Sequence, residues 1–228
     1  MRLVIEQIPR EEVLRYLGYH GTPIPASLDN LITDCIALTQ RTIAPQAIFR
    51  RFPILESKNG IRIGETGLIL KGASIRKHLA GLQEIYLLAV TIGAGMDKLI
   101  RTKMLAAPEE GLILDSCATA AVEAVADLTE AMIREDCAAQ NESITWRFSP
   151  GYGDLPIETQ ADFLAALDTP RKIGVMVSED MILTPFKSVT AVVGVTREAT
   201  AADRPLPCET CASREHCAYR EAGEKCWN

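Results

Sequence analysis

Two groups of residues in this chain have the types and spacing to do chemistry. The first lies in Ser143-Ile144-Thr145-Trp146-Arg147-Phe148-Ser149-Pro150-Gly151-Tyr152-Gly153-Asp154-Leu155-Pro156. Ile144, Trp146 and Phe148 alternate with Thr145 and Arg147, the period of a strand with two different faces, so Arg147 is expected to project away from the Trp146 face. Pro150 cannot donate to a sheet ladder, and Gly151 and Gly153 bracket Tyr152, so the strand is expected to end in reshaped main chain that a ligand can approach closely. The plainer reading is a strand followed by a Pro-Gly turn with Arg147 on the surface. The second group is Cys208-x2-Cys211-x5-Cys217-x8-Cys226, introduced by Pro205 and Pro207 in a tail rich in charge and poor in large apolar residues. Such a tail cannot fold on its own core, and four thiolates around a metal would supply one, making metal binding part of its folding free energy. His216, beside Cys217, is a spare candidate ligand.

The elements that must position these groups follow from periodicity. Residues 10 to 20 predict a short helix closed at Gly18, and a second helix carries Leu28, Leu31, Ile32, Cys35 and Leu38 and must stop before Pro45. The period then changes. Ile48 to Leu55 and Ile61 to Ile63 predict strands joined near Asn59-Gly60, with a further strand at 67–70, as a β-rich insert or cap. Ser74 to Leu79 predicts a short helix, on which His78 is expected to be a surface or capping residue without a role. Ile85 to Thr91 predicts a buried strand. A long helix is expected from about Pro108 to Ala138, its core stripe being Leu114, Ala118, Ala121, Val125, Leu128 and Met132. Glu123, Asp127, Glu130 and Arg134 fall almost opposite that stripe, the position of a solvated face, and Cys117 and Cys137 are expected to pack. Beyond the motif, 157–167 predicts a helix, and 173–177 and 188–195 predict strands. Pairs of strands without an intervening helix point to an α+β fold: a curved, mainly antiparallel sheet built from the strands around 85, 145, 175 and 190 and packed with helices. Three regions are expected: 1–70, helical and hairpin-containing; 71–200, a core; and 201–228, the metal-binding tail.

Composition narrows the function classes. The 228 residues are 47% hydrophobic and 24% charged, ordinary for a globular protein, and a net charge of -6 argues against nucleic acid as the main partner. No apolar run approaches the ~20 residues of a membrane span, and Met1-Arg2-Leu3-Val4-Ile5-Glu6 lacks a secretory pattern, which together predict a cytoplasmic protein. Seven cysteines in that setting read as thiols or metal ligands rather than disulfides.

Arg147-x-x-x-Gly151-Tyr152 after a strand resembles the S-adenosylmethionine-binding motif in the activation domain of vitamin B12 (cobalamin)-dependent methionine synthase. Leu183-Thr184-Pro185-Phe186-Lys187-Ser188-Val189-Thr190 is similar to the Pro-x-x-Ser-Val-Ser segment of the same family, and the order of elements agrees from about residue 71 to 196. The resemblance implies that the Arg147 guanidinium holds the ligand's carboxylate and that main chain at Gly151 and Tyr152 reads the adenosine. It also implies that an acidic residue of the long helix, Asp127 first and Glu123 second, meets the ligand's ammonium group. Two departures stand out. Gly153-Asp154-Leu155-Pro156 replaces the family's Pro-x-Cys-Pro, and residues 1–70 match nothing in the family's aromatic-rich N-terminal part. Cys208-x2-Cys211-x5-Cys217 is similar to part of the auxiliary-cluster motif of certain radical enzymes, which favours an iron–sulfur cluster over zinc.

The function implied is that of a free-standing activation module, a methyltransferase component. It would bind S-adenosylmethionine beside the cobalamin of a methionine synthase acting in trans, so that one-electron reduction of cob(II)alamin is completed by methylation. Flavodoxin or ferredoxin would supply the electron. No general base is required, in keeping with the absence of a convincing catalytic dyad. The alternatives are an activator of another corrinoid methyltransferase, and a metal-containing binding or regulatory protein without methyl transfer.

Overall fold

A computed structural model describes residues 1–19, 23–57, 59–197 and Glu215. Cys208, Cys211, Cys217 and Cys226, the residues expected to hold a metal, lie outside the described residues.

The chain begins with α1 (Arg10–Tyr16) and α2 (Ala26–Thr42), then enters the antiparallel strands β1 (Gln46–Ser57), β2 (Gly60–Ile63) and β3 (Ile69–Leu70). Next come α3 (Ala73–His78), β4 (Glu84–Thr91), α4 (Ala94–Ala106), α5 (Pro108–Ala138) and β5 (Ser143–Ile144). The remaining elements are α6 (Thr159–Leu167), α7 (Thr169–Lys172), β6 (Met176–Val177), β7 (Leu183–Thr184) and β8 (Ser188–Thr196). The main sheet has the order β3-β2-β1-β4-β8-β5, antiparallel at every junction, while β6 and β7 pair separately. The fold is therefore α+β, with a mainly antiparallel sheet packed with helices.

The uninterrupted apolar run of β4 has a simple cause: the strand is covered on both faces. Tyr86, Leu88 and Val90 enter a core with α1, α2 and α5, whereas Ile85, Leu87 and Ala89 enter a second core with β2, β3, α3 and α6. β8 follows suit, sending Ala191, Val193 and Val195 to the first core and Val192 to the second. α5 starts with Pro108 in its first turn followed by Glu109 and Glu110, as the helix N-terminus favours.

Several expectations are corrected. The hairpin region within 1–70 is no insert or cap, because β1 pairs with β4 from Gln46 to Pro53 and so lies inside the main sheet. The strand near 175 is not part of that sheet. Ile173 caps the end of α7 and Gly174 takes a positive φ of 69°, leaving only Met176–Val177 to pair with Leu183–Thr184. α4 has no counterpart among the expected elements; Met96 is its sole buried residue, so its apolar signal is thin. On α5 the expected stripe is right at Leu114, Ala118, Ala121 and Val125, and Leu128 packs against the core partly buried, but the fully buried face then turns to Thr129, Ile133 and Cys137 and leaves out Met132.

Because β4 is shared by both cores, Leu87→Ala and Leu88→Ala, on opposite faces, should each cost about 2–5 kcal/mol. Both should shift a single urea transition; two separate transitions in either variant would show that the cores unfold independently.

Candidate functional site

The motif strand does not run as a simple alternation. Ile144 pairs with Val195, and the next bridge joins Phe148 to Val192, so four steps along one strand face three along the other. One extra residue is accommodated as a β-bulge. At the bulge, Thr145 N–H donates to the Gly194 carbonyl at 2.9 Å, and Gly194 N–H donates to the Thr145 hydroxyl oxygen at 2.8 Å. Beyond the bulge a single isolated bridge follows, in which Phe148 and Val192 exchange main-chain bonds of 2.9 and 2.8 Å.

The bulge re-phases the side chains. Ile144 enters the core shared with α5, Thr145 and Trp146 turn to α3, Arg147 returns to α5, and Phe148 turns away again. Arg147 and Trp146 thus lie on opposite faces as expected, but Ile144 shares the Arg147 face, contrary to the simple alternation.

On α5, Glu123, Asp127 and Glu130 follow one another at spacings of four and three, so their carboxylates share a face. That face is not merely solvated. Arg147 Nη2 lies 2.7 Å from Asp127 Oδ1 and 3.4 Å from Glu123 Oε2, and its Nε lies 3.6 Å from Glu130 Oε2. Arg134 shares Glu130 at 2.8 Å. The Arg147 side chain is only 20% exposed, whereas Asp127 is 70% exposed. Burial pushes the Glu123 carboxyl up from its usual range, opposed by Arg147 and reinforced by Asp127. Three carboxylates therefore surround one guanidinium, whose Nη1 is buried and has no hydrogen-bond partner. An acceptor presented to Nη1 would complete the arginine, and a cation beside Asp127 would offset the surplus negative charge.

The structure thus brings Arg147, Asp127 and Glu123 together, and Gly151 and Tyr152 stand on the turn that follows. Gly151 and Gly153 take φ of 90° and 55°, values that glycine adopts without strain. The Gly151 amide donates to the Leu155 carbonyl and the Tyr152 amide to the Ser149 carbonyl, at 2.9 and 3.0 Å, so both are engaged within the turn. The Tyr152 ring is exposed and meets Phe148 edge-on at 6.3 Å.

Four contributions escape the sequence reading. Glu130 is visible there only as part of the polar face. Asp154 accepts hydrogen bonds from the Ala73 and Ser74 amides at 2.6 and 2.9 Å, tying the turn to the start of α3. Gly72 permits this contact, since a Cβ there would come within 2.7 Å of the Asp154 main chain. Lys187, buried at 8% exposure, reaches Thr119 Oγ1 at 2.8 Å and Asp115 Oδ1 at 2.9 Å, continuing the polar line of α5 toward its N-terminus. His78 is no surface or capping residue. Its ring packs against Trp146 and Phe148 at centroid distances of 4.5 and 5.2 Å, and its Nε2 lies 3.0 Å from the Thr145 hydroxyl. Only the heptad-like spacing of Glu130 leaves a trace in sequence; the other three contacts join residues far apart in the chain.

Other features are set aside on their chemistry. A cavity of about 720 Å³ between the β1–β2 hairpin and Ala80–Gln83 has Arg76 as the charged residue among its described lining. Burial pushes the Cys117 thiol up to about 12 and the Cys35 thiol to about 11, so both pack as neutral thiols. Among the described residues, no group of three or more His, Cys, Asp or Glu side chains could hold a metal ion, and no helix is long and apolar enough to cross a membrane.

No family model matches the sequence, and no curated protein matches it. Its fold does have a solved counterpart. A crystal structure of the MetH reactivation domain bound to AdoHcy aligns over 97% of this chain and 86% of that one, with a TM-score of 0.64 and 15% sequence identity. At that identity the likeness is one of fold, and it extends well beyond the residues 71–196 over which the motifs agree.

Burial holds the His78 imidazole down to about 4, against an ordinary value near 6.5, with the Trp146 main chain easing the shift. The unfolded chain therefore takes up a proton that the folded chain refuses. The stability from this group is fully present above pH ~6.5 and is lost as pH falls toward 4, by at most about 3 kcal/mol. Urea unfolding at pH 7 and 4.5 should show a smaller acid loss in His78→Phe than in the wild type; equal losses would place His78 in water.

Proposed function

We propose that this chain binds S-adenosylmethionine on the surface between α5 and the bulged strand, and thereby supports reductive methylation of cob(II)alamin on a cobalamin-dependent methionine synthase acting in trans. One observation carries the reading: Arg147 has a buried, unpartnered Nη1 beside an excess of helix carboxylates. An α-amino acid group is a zwitterion that fits both halves of this arrangement. Its carboxylate satisfies Nη1, and its ammonium group meets Asp127, with Glu123 one turn away. The shared fold of a domain whose crystal structure holds AdoHcy supports the same assignment.

The residues present suit the ligand in further respects. Tyr152 offers an exposed ring beside Gly151 for the adenosine, and the Asp154 contact with α3 holds the intervening turn in place. Because the Gly151 and Tyr152 amides are engaged, contact of the ligand with the turn falls to the Tyr152 ring and to main-chain carbonyls. S-adenosylmethionine supplies an electrophilic methyl group when bound. The task of this chain is to bind it, orient it and present it to a partner's cobalamin, so Arg147, Asp127, Glu123, Gly151 and Tyr152 act as binding rather than proton-transfer groups. A flavodoxin or ferredoxin is the proposed electron donor, and the tail at 201–228 is proposed to hold an iron–sulfur cluster, or zinc, through Cys208, Cys211, Cys217 and Cys226.

Arg147→Ala should weaken S-adenosylmethionine binding by about 30- to 1,000-fold, or roughly 2–4 kcal/mol, in calorimetry. Arg147→Lys should recover part of the loss, because an ammonium lacks the planar fork. Wild-type affinity in Arg147→Ala, with the chain folded, would refute the site. Anaerobic purification with iron, sulfide and zinc analysis tests the tail. Iron with acid-labile sulfide is expected, zinc at about one per chain would replace the cluster by a structural site, and neither would remove the metal from the proposal.

A further inference from the structure

The bulge that turns Arg147 toward α5 depends on a side chain. In a regular antiparallel ladder the Gly194 amide would find a main-chain acceptor; here it finds the Thr145 hydroxyl oxygen at 2.8 Å. That oxygen also lies 3.0 Å from His78 Nε2 and 3.3 Å from the Trp146 carbonyl. A hydroxyl has one proton to give and two lone pairs to accept with, so the assignment is constrained. His78 Nδ1 is buried without a partner, and a proton placed there would be an orphaned donor. The proton therefore belongs on Nε2. It donates to Thr145, Thr145 donates to the Trp146 carbonyl, and Gly194 fills the remaining lone pair. The His78 ring also packs against Trp146 and Phe148, the two residues that flank Arg147 in sequence.

We propose that His78 is a positioning residue for the Arg147 site: through Thr145 and the two flanking rings it fixes the bulge, and the bulge aims the guanidinium at the α5 carboxylates. This inference rests on the ligand reading above only for its binding consequence, because the aim of Arg147 exists without ligand. Removing the imidazole donor leaves the Thr145 hydroxyl short of one partner and lets the strand return toward regular alternation, in which Arg147 would share the face of Thr145 rather than that of Ile144.

The test uses the full chain with His78→Leu, His78→Gln, Thr145→Val and the double variant His78→Leu/Thr145→Val. A glutamine amide nitrogen can stand near the position of Nε2 and donate to Thr145, whereas leucine fills space without donating. Calorimetry with S-adenosylmethionine should show about tenfold weaker binding for His78→Leu and for Thr145→Val, the scale of one hydrogen bond. The double variant should be no weaker than either single one, since both remove the same link. His78→Gln should stay within about twofold of wild type. In the ligand-free chain, the Arg147 Nε–H resonance should shift in His78→Leu and Thr145→Val and keep its wild-type position in His78→Gln. Losses that multiply to about a hundredfold, or an unmoved Arg147 resonance in a folded Thr145→Val, would overturn the proposal, and the latter decides even where His78→Leu fails to fold. If the wild type does not bind S-adenosylmethionine, the ligand reading fails while the Arg147 resonance still decides the positioning role.

Discussion

Burial of β4 on both faces is the constraint from which the rest of the arrangement follows. A strand with apolar side chains in two cores needs a neighbour along each edge and a helical layer on each side. β1 and β8 take the edges, the α1–α2–α5 layer covers one face, and α3 with α6 covers the other. β8 is then the last long strand on its side, and β5 pairs with it only at Ser143–Ile144. The motif stretch is left to continue along a strand edge where pairing is sparse enough to admit an extra residue. An extra residue inside the β1–β4–β8 ladders would cost hydrogen bonds on both sides; at this edge it costs little, because the Thr145 side chain replaces the missing acceptor.

Electrostatics give the edge its character. α5 spans roughly 46 Å at 1.5 Å per residue, and among the cations that meet its polar line are Lys187, near Asp115 and Thr119, and Arg147, near Glu123, Asp127 and Glu130. Lys187 is well satisfied by a carboxylate and a hydroxyl. Arg147 is not, since its fork points two nitrogens at carboxylates and leaves the third without an acceptor in a place that water does not reach. A buried guanidinium nitrogen without an acceptor is a standing cost, and a ligand that relieves it gains affinity from the relief. Surplus carboxylates at the same spot tilt recognition toward a ligand that brings positive charge with its anion.

Docking of the turn after Arg147 is a separate matter from the aim of Arg147. Asp154 on the α3 amides and Gly72 against the Asp154 main chain hold Gly151 to Gly153 from the far side, while His78, four residues after Ser74 on the same short helix, holds Thr145. α3 thus grips the motif at both ends, although it contributes nothing to the charged face itself.

The sequence by itself determined the elements whose signals are local. Pro108 with two glutamates and an apolar stripe marks α5, Asn59-Gly60 marks the hairpin, and the unbroken run from Ile85 marks a strand covered on both faces. Alternation was enough to put Arg147 opposite Trp146, and helical spacing was enough to put Glu123 and Asp127 on one face. What tertiary structure decided is everything that depends on counting residues across a ladder or on neighbours distant in sequence. A period of two carries no mark of a one-residue bulge, so the side taken by Ile144 could not be read. Nothing local distinguishes a β1 that caps from one that pairs with β4, and α4, with Met96 as its one buried residue, has too little apolar pattern to stand out. The 173–177 stretch shows the converse: its apolar residues promise a strand, but the chain needs them for the second core, where Ile173 and Val175 are buried without a sheet partner in the main ladder. His78 is the sharpest case. Its role comes from a hydroxyl 67 residues away, and no property of its own helix announces that meeting.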